Sequence, residues 1–143
     1  MSDQVLRTVL GGVLLLHGLG HGGAIGALAW IAHFGPGHTG DWHAAHSWLL
    51  PDLAPSTATA LATGAWALAL IGFVAAAIAF WGIGLPVGAW RALALGSAIV
   101  SAAGITLFIG DWPAFNTLAA LAVNTGVIAA LWLRWPPQAL VGA

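Results

Sequence analysis

Two histidines four residues apart, His17 and His21, lie inside a long apolar run. On an α-helix that spacing stacks two imidazoles one turn apart on a single face, so both look toward the same neighbour. An imidazole supplies a metal-ligating nitrogen, a hydrogen-bond donor and acceptor, and a group that titrates near neutrality. In apolar surroundings such a pair could ligate a metal, a haem iron or a pigment magnesium, or hydrogen-bond a quinone headgroup. The plainer role is to lock helix register. Register needs only one polar residue, so two on one face favour a ligand. The pair cannot bracket a haem, whose axial ligands approach from opposite sides, and no other apolar run contains a histidine. A bis-histidine haem would therefore need a second copy of the chain.

Four further histidines, His33, His38, His43 and His46, fall within fourteen residues together with Asp41, and Asp52 follows. Asp41 is a suitable N-cap for a short helix over 42–50, in which Trp42, Ala45 and Leu49 form an apolar stripe fit for a membrane interface. On that helix His43 and His46 share a face, and with Asp41, or else Asp52 or Asp111, they could hold zinc or copper. A solvated loop lying on the interface is the simpler expectation. The chain has no Glu, so the H-E-x-x-H metalloprotease pattern is absent. A triad of Ser47, His46 and Asp52 lacks a nucleophile elbow. With no cysteine, thiol chemistry and thiolate metal sites are excluded.

What must position these groups follows from composition. Of 143 residues, 60% are hydrophobic and 5% charged, against about 25% charged in soluble domains. Three Arg and four Asp cannot clothe a water-facing surface, but they can mark the ends of elements surrounded by lipid. Nucleic-acid binding is disfavoured at a net charge of −1 without basic clusters. Apolar stretches over about 5–31, 57–82, 88–110 and 114–134 each meet the ~20 residues needed to cross a bilayer. The expected fold is all-α: a single polytopic membrane domain over 1–143, an antiparallel four-transmembrane-helix bundle with an outer loop over 32–56. The first stretch is read as an uncleaved helix rather than a signal peptide, being long and holding two histidines. Arg7, Arg91 and Arg134 then share one side, which the positive-inside rule makes cytoplasmic along with both termini. The histidine-rich loop then lies on the outer side. Gly18, Gly22 and Gly26 form a small-xxx-small ridge for close helix approach.

Counting depth at 1.5 Å per residue puts His21 about 15 Å and His17 about 21 Å from the outer end of the first helix. Trp66, Ser101 and Asn124 come out at roughly the depth of His21, and Ser97 near that of His17. Each helix thus contributes a polar or amphipathic side chain to one level. Unpaired polar groups in lipid cost several kcal/mol, so the layer should face the bundle interior. His17, His21, Trp66, Ser101 and Asn124 are the candidate ligand-binding residues.

Leu14-Leu15-Leu16-His17-Gly18-Leu19-Gly20-His21 with Gly26, then Gly64-Ala65-Trp66, Trp90-Arg91-Ala92-Leu93-Ala94-Leu95 and Asp111-Trp112-Pro113, resemble a group of small bacterial four-helix membrane proteins, themselves distantly similar to the DoxX-like proteins. The resemblance covers most of the chain outside the 32–56 loop. It implies a membrane redox setting such as quinone-linked sulfur oxidation, although a chain without cysteine does not fit a thiol-based role. The expected function is binding of a redox ligand (quinone, haem or metal) through the histidine pair. The alternative is a non-catalytic accessory subunit of a larger membrane complex. Expected partners are the bilayer and either a second copy or such a complex; whether there is catalysis is left open. A channel is not supported, because no span carries a formal charge in its interior.

Overall fold

A computed structural model describes residues 2–35, 37–38, 40–137 and 140–141. Among these the chain is all-helical with no strand: α1 (Asp3–Phe34), α2 (Pro55–Trp81), α3 (Trp90–Leu107) and α4 (Ala114–Trp132), with a 3₁₀ turn over Val87–Ala89 leading into α3. All four helices are long and apolar enough to cross a membrane. Local signals account for their ends. Ser2 caps α1, its Oγ accepting from the Val5 N–H. Pro55 opens α2 with the φ a first helical turn requires. Gly82 closes α2 in the left-handed region at φ 74°, and Ile83 N–H returns to the Ile78 carbonyl. α3 stops three residues earlier than expected because the chain turns through Gly110 at φ 98°.

The helices pack in chain order, α1 on α2, α2 on α3 and α3 on α4, whereas α1 and α4 barely approach each other. Lipid is as apolar as leucine, so close van der Waals fit rather than water exclusion must hold these pairs. The fit is close at Gly18, where an added Cβ would lie 3.0 Å from Phe73 Cβ and 3.2 Å from the Leu70 carbonyl oxygen. The predicted glycine ridge holds there only: a Cβ on Gly22 would make ordinary contacts, and one on Gly26 would meet nothing. Two apolar clusters result. One gathers Leu14, Phe73, Phe80 and Trp90 with small alanines, and the other gathers Leu28, Trp66, Ile105, Phe108 and Trp112.

Near the first cluster, Arg7 of α1 donates to the Trp81 carbonyl at the end of α2, 2.6 Å, and Arg91 of α3 donates to the Pro136 carbonyl beyond α4, 2.7 Å. Near the second, the α1–α2 connection folds back over the α3–α4 turn. The expected helix over 42–50 does not form; the segment is irregular. The physical reason is competition for its N–H groups. Those of His43 and His46 go to Asp111, to its carbonyl (3.0 Å) and its carboxylate (2.8 Å), rather than back along a helix. Trp48 Nε1 is likewise drawn to the Thr106 carbonyl, 2.6 Å. Asp111 is buried, and burial pushes its carboxyl pKa up from the ordinary value, opposed by the His46 N–H bond and the charges of His46 and His43.

Candidate functional site

The polar level anticipated from depth is a connected hydrogen-bond chain spanning three helices. His17 Nε2 on α1 meets Asn124 Oδ1 on α4 at 2.8 Å, and Asn124 Nδ2 donates to Ser101 Oγ on α3 at 2.7 Å. Ser101 Oγ in turn meets His21 Nε2 on α1 at 3.0 Å. The chain leaves α1 at one histidine and returns to it one turn on. His21, Ser101 and Asn124 are at most 1% exposed, and His17 is half-buried. Asn124 Oδ1 only accepts, so His17 carries its proton on Nε2. Ser101 accepts from Asn124; with its own O–H donated to His21 Nε2, the His21 proton sits on Nδ1.

That Nδ1 is buried and has no partner among the described residues. Aromatic rings fix the imidazole around it. Phe73 stacks on His21 at 6.2 Å and meets His17 edge-on at 4.6 Å, while Trp112 tilts against His21 at 6.0 Å. Trp112 Nε1 is a second buried N–H with no partner among the described residues. Both residues line a cleft of about 220 Å³ between α1 and α4, together with Leu16, His17, Trp42, Phe115 and Asn116. Leu16 and Phe115 are highly exposed, so the cleft opens on the side of the bundle.

Two other members of the predicted level stand apart from this chain. Trp66 is fully buried but packs behind the cleft, 4.7 Å from Trp112 and 6.2 Å from Phe108, and its Nε1 is also without a partner among the described residues. Ser97 turns back on its own helix, donating to the Leu93 carbonyl at 2.7 Å. The loop candidates are not gathered. Among the described residues no three His, Cys, Asp or Glu side chains come together as a metal site. For Asp41, His43 and His46 the cause is the missing helix: without it the i, i+3 face does not exist. Trp112, Trp42 and Asn116 were not singled out as cleft residues. Trp112 had a signal in its tripeptide between two spans, but its facing depends on the turn at Gly110.

Comparison of the chain with protein-family models, with curated proteins and with solved structures finds no match.

Proposed function

We propose that this chain is a multi-pass protein of a bacterial inner membrane that binds the ring headgroup of a quinone-type redox ligand in the α1–α4 cleft. The observation that carries this reading is that His21 and Trp112 line one cavity and each holds a buried ring nitrogen, Nδ1 and Nε1, with no partner among the described residues. Buried donors almost always have partners, and a carbonyl oxygen of a ring ligand would serve. The volume agrees, since about 150 Å³ of apolar cavity accommodates a benzene-sized ring. Haem fits poorly: the macrocycle far exceeds 220 Å³, and both Nε2 atoms are already hydrogen-bonded. Among the described residues a resident metal finds no cluster of three His, Cys, Asp or Glu side chains.

An antiparallel arrangement is supported by Arg7 reaching the end of α2, and Arg91 the segment after α4. With Arg134 following α4, the positive-inside rule places these ends and both termini in the cytoplasm, and the histidine-rich loop outside. The distant DoxX-like resemblance points to the same redox setting.

The test is equilibrium binding of a soluble benzoquinone to the purified chain in lipid nanodiscs, with an absorption spectrum and elemental analysis of the same sample. His21→Ala and Trp112→Phe should each weaken binding by roughly 2- to 12-fold, the worth of one hydrogen bond at about 0.5–1.5 kcal/mol. A wild-type protein that binds no quinone, or two variants that bind it unchanged, would refute the reading. Co-purification with partner subunits in that case would favour the accessory-subunit role.

A further inference from the structure

The seam between α1 and α4 continues beyond the cleft. A second cavity, of about 210 Å³, is lined by Val13 and Leu14 of α1 and by Val123, Gly126 and Ala130 of α4, and reaches Trp135. Val123 lines both cavities, so they adjoin. Along α4, from Val123 to Leu131, the seam runs about 12 Å at 1.5 Å per residue. One half is lined by His21, Trp112 and Asn116; the other is hydrocarbon except at its far end.

We infer that the ligand is amphipathic: a ring headgroup seated at His21 and Trp112, and a hydrocarbon chain running along the seam past Val123 toward Trp135. This rests on the headgroup reading above. The occupant follows from continuity, because a chain leaving the head site toward Val123 enters a groove of matching polarity that neither helix closes. The groove directs more than it holds. Bilayer hydrocarbon is as apolar as these side chains, so moving a chain from lipid into the seam gains little affinity. What the seam provides is orientation: with the chain laid along it, the ring enters sideways from the membrane between His21 and Trp112.

The same physics shapes the test, which must block the groove rather than seek tighter binding of a tailed ligand. Gly126→Trp is suitable, since an added Cβ meets nothing within 4 Å and the backbone need not move. Val13→Trp blocks from the opposite wall. The probes are one substituted benzoquinone with and without a decyl chain, measured in the same nanodiscs. Both variants should weaken the decyl probe by about tenfold or more, equivalent to ~1.4 kcal/mol, and leave the bare ring within about twofold of wild type. A diazirine at the chain end should label residues 127–131 of wild-type α4. If both probes bind both variants as they bind wild type, the chain lies in bulk lipid and the inference is overturned. Equal weakening of both probes overturns it too, by showing damage to the head seat. If the bare ring fails to bind even the wild-type protein, the headgroup reading itself falls.

Discussion

Replacing Ser101 by Ala removes one oxygen from the structure and two hydrogen bonds from its polar chain, because Ser101 Oγ serves both Asn124 and His21. Asn124→Leu also removes two, those to His17 and Ser101. Interhelical hydrogen bonds in membranes average about 0.6 kcal/mol, reaching ~1.7, so each single variant should lose about 1.2 kcal/mol and at most ~3.4. The Asn124–Ser101 bond is common to both. The double variant breaks three bonds, not four, and should lose about 1.8 kcal/mol rather than the ~2.4 of independent sites, a coupling of about 0.6 kcal/mol. Ser97→Ala is the control. Its hydroxyl bonds only its own helix, a type of bond that contributes little, so it should stay within about 0.5 kcal/mol of wild type. Reversible unfolding by steric trapping in bicelles measures the wild type and all four variants on one scale. Strict additivity of Ser101→Ala with Asn124→Leu, or a Ser97→Ala loss as large as that of Ser101→Ala, would show that the chain does not join the helices as described.

Asp111 makes stability depend on pH. Its carboxyl pKa is raised in the folded state by burial, so the folded protein holds this proton more tightly than the unfolded one. Stability should therefore rise as pH falls from the raised value through the ordinary carboxylate range, and be lost as pH climbs back through it. Asp111→Asn keeps an acceptor for the His46 N–H and should flatten that slope in denaturation measured across pH; an unchanged slope would assign it to another group. Along the α1 glycines, Gly18→Leu should cost about 1–3 kcal/mol by forcing α1 from Phe73, whereas Gly26→Ala should be neutral or slightly stabilising in the same unfolding assay. Gly72→Ala would place a Cβ on Ser97 Oγ, so it should destabilise, and Ser97→Ala should largely restore stability in the double variant. No rescue would mean that α2 and α3 can separate at that point without cost.

The difference between what was legible and what was not has a physical pattern. Along the membrane normal, helix rise converts residue number into depth, and the expense of unpaired polar groups in lipid turns matched depth into contact. That logic brought His17, His21, Ser101 and Asn124 to one level, and they are hydrogen-bonded. Around each helix axis no such ruler exists. α2 is apolar on every face, so nothing in its periodicity turns Trp66 behind the cleft rather than onto its wall. Ser97 could satisfy itself on its own helix, which matched depth cannot reveal.

The loop failed for the opposite reason. Local signals were present but were outbid: Asp41 could cap a helix, yet the buried carboxylate and carbonyl of Asp111 take the His43 and His46 N–H groups that such a helix would use. The same interaction explains why Trp112 belongs to the cleft. Asp111 ties the returning loop to the α3–α4 turn, and Trp112 then packs between Trp42, Trp66 and His21. Trp112, whose Nε1 has no partner among the described residues, is thus positioned by a carboxylate that does not line the cleft. Loss of that carboxylate by Asp111→Leu should weaken quinone binding through Trp112 while leaving the His17–Asn124–Ser101–His21 chain intact.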